Sequence, residues 1–123
     1  MSTTQGVEVK SFEQPEETRP FQGNGNARMV HVAGKMVSLG TFEPGWRWST
    51  NIKPIAGTPT CQVAHLGYVL QGTMRIMMDD GTEKVITPGE MVSIAPGHDA
   101  EVLGDEACVF LDFGQIDEYA KKH

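Results

Sequence analysis

Cysteine is scarce: Cys61 and Cys108 are the only two in 123 residues. A disulfide scaffold of this length normally carries more, so both are expected to be reduced thiols. Long apolar runs are absent too, with no stretch near the 18 residues that mark a membrane-spanning helix. The opening MSTTQGVEVK has neither the basic stretch nor the apolar core of a secretory signal, and a cytoplasmic protein is the expectation. Basic residues are outnumbered, ten Lys and Arg against sixteen Asp and Glu, for a net charge of -6. That balance argues against binding by counterion release and removes nucleic acid from the expected partners. There is no internal repeat and no low-complexity tract.

What is present is enough for one folded domain. Hydrophobic residues are 39% of the chain and charged residues 21%, so a core can be buried. Residues 1–28 are polar and broken by Pro15, Pro20, Gly23 and Gly25, which reads as an extended arm with at most a short strand at 7–10. From Met29 the character changes to short β-branched or apolar runs, punctuated by Gly, Pro and Asp every eight to twelve residues or so, the signature of an all-β sandwich or barrel. Candidate strands are 29–32, 36–42, 46–49, 61–70, 72–78, 84–86, 91–94, 100–103 and 109–113. Asp79-Asp80-Gly81-Thr82 is a hairpin turn, because Gly and Asp tolerate the positive φ of tight turns. No helix is needed before the tail, residues 115–123, where acidic residues precede Lys121 and Lys122 in the order that suits a helix dipole.

Histidine and cysteine supply the candidate chemistry. His123 is terminal and His31 sits in a short strand where a solvated ring is expected. Period two places Cys61, Val63, His65 and Val69 on one strand face, so a thiol and an imidazole share a side, and both bind borderline metals. If the segment were straight, however, four residues at about 3.3 Å rise would separate Cys61 from His65 by roughly 13 Å. Shared coordination then needs a bulge, and direct activation of the Cys61 thiol by His65 is disfavoured. His98, in the loop Ala95-Pro96-Gly97-His98-Asp99, is the candidate third ligand; an exposed polar turn is the alternative, and Asp99 is placed to orient the ring. Trp46 and Trp48 alternate onto one face as core, pocket wall or dimer contact. Met74, Met77, Met78 and Met91 suit core gaps or an adaptable pocket, Cys108 a buried apolar position, and Asp112 an outward, solvated one. Tyr68 falls on the opposite face from Cys61 and His65.

Two segments resemble the cupin superfamily, whose first motif reads G(x)5HxH(x)3–4E(x)6G. Tyr68-Val69-Leu70-Gln71-Gly72 is similar to its ending. Counting back from Gly72, His65 stands where the family has its metal-binding Glu, Cys61 at the second His and Pro59 at the first, so two of three ligand positions hold a possible ligand, each of changed type. Gly89-Glu90-Met91-Val92-Ser93-Ile94-Ala95-Pro96-Gly97 is similar to the second motif. Strict spacing puts Ala100 at its ligand His; a loop shorter by two puts His98 there and aligns Gly104-Asp105-Glu106 with the family's following turn, and the shorter loop is preferred.

The resemblance spans about residues 36–113 and implies a cupin double-stranded β-helix, a jelly-roll barrel over residues 29–114 with the arm before it and a short C-terminal helix after. It also implies a homodimer. For function it implies a divalent metal, zinc or iron if Cys61 is a ligand, held by Cys61, His65 and His98, acting on a small organic molecule by oxygenase- or isomerase-type chemistry. The competing expectation is a non-catalytic barrel that binds a small ligand or senses metal or redox state.

Overall fold

In a computed structural model, residues 6–114 are described. Among these residues, nine strands form two antiparallel sheets: β1 (Glu17–Pro20), β2 (Gly25–Val32), β3 (Lys35–Phe42), β4 (His65–Gln71), β5 (Thr73–Met78), β6 (Glu83–Ile86), β7 (Met91–Ile94), β8 (His98–Leu103) and β9 (Cys108–Asp112). One sheet has the order β1-β2-β3-β9-β4-β7 and the other β6-β5-β8. Jelly-roll architecture is therefore present, built from two facing sheets and not from one continuous ring of paired strands. The edge strands β6 and β7 face each other across a seam where no ladder joins them.

Alternation decides what points inward. Met74 and Ile76 in β5, Ala100 and Val102 in β8, Cys108 and Phe110 in β9, and Ala27 and Met29 in β2 are all buried at period two. The expected turn at Asp79-Asp80-Gly81-Thr82 closes β5 onto β6, with Gly81 at φ 93°. At one end of the interior an aromatic cluster seals the core: Phe21 stacks on Phe42 at 5.3 Å between centroids, and Phe42 meets Trp46 edge-on at 4.6 Å.

Several expectations are corrected. The segment 46–49 is no strand. Trp48–Asn51 forms α1 and Lys53–Ala56 forms α2, each one turn long, so helix does occur before the tail. The two tryptophans imitate strand alternation, but the turn is held by Asn51, whose Oδ1 accepts from Arg47 N at 2.9 Å while its Nδ2 donates to Gln22 O at 2.7 Å. Pro54 suits the first turn of α2, and Gly57 in the left-handed region (φ 76°) ends it. The expected strand 61–70 starts at His65 and the segment 7–10 is not a strand; Val7 and Val9 are exposed. The six-stranded sheet reaches back to Glu17, so the division expected at residue 28 falls inside β2, and Phe21 and Ala27 of the arm enter the core. The helix expected at 115–123 lies outside the described residues. Among the described residues no helix is long and apolar enough to cross a membrane.

The turn after β4 is a tight packing constraint on this framework. Gly72 has φ 78°, and a Cβ there would lie 2.3 Å from Ala107 O and 2.6 Å from Cys108 Cα. Replacing Gly72 with Ala is therefore expected to cost on the order of 1–3 kcal/mol or more, from backbone strain together with the clash. Urea unfolding of Gly72→Ala beside the parent measures it; an unchanged midpoint would contradict the assigned turn.

Candidate functional site

Four inward positions break the apolar pattern: Ser38 in β3, His65 in β4, His98 in β8 and Asp112 in β9, each buried. All four line one cavity between the sheets, together with Trp46, Trp48 and Phe110 among other apolar side chains. Buried polar groups persist only when they are paired, so their partners define the site.

Cys61 is brought there by the backbone. It forms an isolated antiparallel bridge with His98, in which Cys61 N donates to His98 O at 2.7 Å and Gly97 N donates to Cys61 O at 2.7 Å. Residues 62–64 are irregular, so the chain turns and the straight-strand distance does not apply. Cys61 Sγ lies 3.6 Å from His65 Nε2, which overturns the separation expected from an extended segment and with it the objection to a thiol–imidazole contact.

Each imidazole has one nitrogen already committed. His65 Nδ1 is 2.5 Å from Asp112 Oδ2, and Asp112 Oδ1 accepts from Gly114 N at 3.0 Å. His98 Nδ1 is 2.9 Å from Ala95 O; a carbonyl only accepts, so Nδ1 carries the proton and Nε2 is the basic nitrogen. The donor atoms of Cys61, His65 and His98 lie within 4.8 Å of one another. His98 is the first residue of β8 and 3% exposed, so it is neither a loop residue nor an exposed turn.

The electrostatics follow from burial and pairing. Burial pushes the Cys61 thiol up, but hydrogen bonds with His65 and His98, reinforced by charge on those rings, prevail and hold it at about 6. Burial likewise pushes His65 down, while its bonds to Asp112 and Cys61 override this and raise it to about 9. Cys108 has only burial acting on it and is pushed up to about 12. It is buried, as expected from sequence.

Two assignments change. Asp99 does not orient His98: its Oδ1 accepts from Ser49 N at 3.1 Å and its Oδ2 faces Arg47 Nε at 3.4 Å, on the outer side of β8. Asp112 is not outward or solvated; it is 4% exposed and is the partner of His65. The signal for it lay in the alternation Cys108, Phe110, Asp112, which puts all three on one face. Trp46 and Trp48 are both buried core and cavity wall. Beside the cavity, a surface groove of about 610 Å³ follows the β6–β7 seam, bordered by exposed Val85 and Met91 and sharing Ile76, Ile86 and Ile94 with the cavity wall.

No protein-family model and no curated protein matches the chain. Solved structures do. An uncharacterised conserved protein with a double-stranded β-helix domain from Klebsiella pneumoniae is similar, with a TM-score of 0.56 and 18% identity, covering 86% of this chain and 87% of that one. The fold is a double-stranded β-helix. The polyketide cyclase RemF from Streptomyces resistomycificus is similar with a TM-score of 0.60 and 18% identity, over 86% of this chain and 77% of that one. A single-residue variant of oxalate decarboxylase from Bacillus subtilis is similar over 90% of this chain but 31% of its own length, at 18% identity and a TM-score of 0.57.

Within this fold the thiol assignments are directly measurable. In metal-free protein the ultraviolet absorbance of a single thiolate is expected to appear as pH rises through about 6, far below the usual thiol value of 9, and to vanish in Cys61→Ser but not in Cys108→Ser. His65→Ala removes a hydrogen bond that holds the thiol down and shifts the transition upward. A parent protein that stays fully protonated at neutral pH would refute the pairing.

Proposed function

We propose that this protein is a divalent-metal cupin that acts on a small organic molecule, with Cys61, His65 and His98 holding the ion. The observation that carries the proposal is the convergence of Cys61 Sγ, His65 Nε2 and the basic nitrogen of His98 in a buried cavity, each ring being tied at Nδ1 to an acceptor. Tying Nδ1 fixes tautomer and ring orientation, which is how histidine ligands are usually prepared. The donor spacing fits as well: Zn–S and Zn–N bonds on a tetrahedral ion imply about 3.6 Å between the donor atoms, the separation seen between Cys61 and His65. A thiolate with two imidazoles favours zinc or iron over manganese.

Three protein ligands are the usual number at catalytic rather than structural zinc sites. A bound ion would supply Lewis acidity or, if iron, oxygen activation. The chain's own residues divide the remaining work. Asp112 holds the proton on His65 Nδ1 and stabilises the ring, Ala95 O does the same for His98, and the apolar lining excludes bulk water. Enzymes among proteins of this fold, a polyketide cyclase and an oxalate decarboxylase, support catalysis on a small organic molecule without selecting a reaction, and oxygenase- or isomerase-type chemistry is the type proposed for this site. The net charge of -6 favours a small-molecule partner over nucleic acid, and the proposed enzyme acts as a cytoplasmic homodimer.

A second reading has its own observation. Cys61, His65 and Asp112 form a thiol–imidazole–carboxylate relay, so without metal the barrel would act through the thiol, as a redox sensor. Metal content separates the two. Plasma mass spectrometry of untagged protein purified without chelators is expected to find about one equivalent of zinc or iron per chain, lost in Cys61→Ala and in His98→Ala. No metal after reconstitution with zinc, iron, nickel and manganese would sink the metalloprotein and leave the relay. Asp112→Asn is expected to weaken metal affinity about 10- to 100-fold while the protein stays folded, read by competition with a chromophoric chelator. Unchanged affinity would show that Asp112 does not support the ligand.

A further inference from the structure

The six-stranded sheet is apolar on both of its faces. Residues paired across antiparallel strands share a face, and the register sets Leu39 opposite Leu111, Leu111 opposite Tyr68 and Tyr68 opposite Met91. These four side chains make one row across β3, β9, β4 and β7. Ser38, Phe110, Asp112 and Val69 alternate with them and are buried inward, so the row points away from the cavity. The outward positions of β3 between residues 37 and 41, of β9 between 109 and 111 and of β4 between 66 and 70 hold no charged side chain.

An antiparallel sheet with one wet face ordinarily alternates apolar inward with polar outward. This one does not. Of the six large hydrophobic residues exposed among the described residues, three stand on this outer side: Leu66 at 43%, Leu70 at 49% beside the bulge of β4, and Met91 at 59%. A contiguous apolar patch of this kind on a water-facing surface marks a contact with another molecule.

Charge and area select the occupant. Each copy of the chain carries a net charge of -6, so two copies repel where their charged surfaces meet, and this uncharged face is where that repulsion is least. In a two-fold contact the same patch lies on both sides, and a patch with no charge in its middle meets itself without a like-charge penalty. A lipid surface would instead be sought by basic residues, which are the minority here. Four strands about 4.8 Å apart and five or six residues long at about 3.3 Å each make the face roughly 19 by 18 Å, and a rim one side chain deep brings it to the roughly 800 Å² per partner of a standard interface.

We infer that a second copy of this chain packs its own six-stranded sheet against this face about a two-fold axis, burying Leu39, Leu66, Tyr68, Met91 and Leu111 of both copies. Two sheets stacked in this way lie about 10 Å apart with their side chains interdigitated. The inference rests on the proposed function for the homodimer alone, to which it gives an interface, and it does not involve the ion. Leu66 and Leu111 are the chain neighbours of His65 and Asp112, so the contact backs the two strands that carry those site residues.

Sedimentation velocity of the full chain over a range of concentrations tests this, and the expected species has twice the 13.4 kDa chain mass. Leu66→Lys and Met91→Lys, both at exposed positions that do not fill the core, are expected to weaken self-association at least ~10-fold, because each puts a charge into an apolar contact, while thermal melts followed by circular dichroism show the variants folded. Val85→Lys, at an exposed residue of the other sheet, is expected to associate as the parent does. Raising the salt from about 0.05 M to about 0.5 M screens the repulsion between copies, so association is expected to hold or tighten. A parent that stays monomeric, a dimer indifferent to both Leu66→Lys and Met91→Lys, a dimer lost in Val85→Lys, or a dimer that salt weakens would each overturn the interface. Metal content of the same samples keeps the outcomes separate: a monomer that holds metal removes only the interface, and a dimer without metal removes only the metal centre.

Discussion

The bridge between Cys61 and the Gly97–His98 pair is the contact on which the centre depends. Cys61 belongs to no strand, and without the two bonds of 2.7 Å that clip it to the start of β8 its thiol would have no fixed place in the interior. The clip also decides where the chain re-enters the larger sheet, so that His65 opens β4 with its ring toward the same cavity. Two residues four apart in sequence then meet at 3.6 Å, and the third donor is the residue across the bridge. Backbone pairing, which carries no chemical specificity, thus sets the geometry of three side chains that do.

Polarity inside the barrel is organised in one direction. Asp112 and the Ala95 carbonyl sit behind the histidines, and Trp46 and Trp48 border the same space from another part of the wall. Low dielectric makes each of these arrangements matter more than it would at the surface, raising the cost of an unmatched donor and the strength of a matched one. The same apolar surroundings give the two cysteines opposite characters. Cys61, with two rings beside it, is held at about 6, and Cys108, with none, is pushed to about 12, although both are buried in one domain.

Much of this was legible in the sequence, for identifiable reasons. Eight of the nine strands, β2 to β9, the turn at Gly81 and the two glycine-ended motifs follow from period-two alternation and turn chemistry, which are local properties. Cys61, His65 and His98 could be named because few residue types bind soft metals and the two motifs frame them. What escaped were features set by tertiary contacts. The kink at 62–64 has no turn-forming residue and is imposed by the bridge to His98; the one-turn helices at 48–56 depend on Asn51 reaching Gln22; and Asp99 was drawn away from His98 by Arg47 and Ser49. Asp112 was different, because its inward position follows from the same alternation that places Cys108 and Phe110.

The seam between β6 and β7 has a kinetic meaning. Backbone ladders elsewhere resist separation because every opened pair exposes donors and acceptors together. Along this line the wall consists of Ile76, Ile86 and Ile94 side chains shared by the outer groove and the inner cavity, with no ladder to break. Widening it costs dispersion contacts and rotamer changes, events that run orders of magnitude faster than strand unpairing. Passage into the cavity along this line would thus be governed by three branched side chains while the hydrogen-bonded frame stays intact.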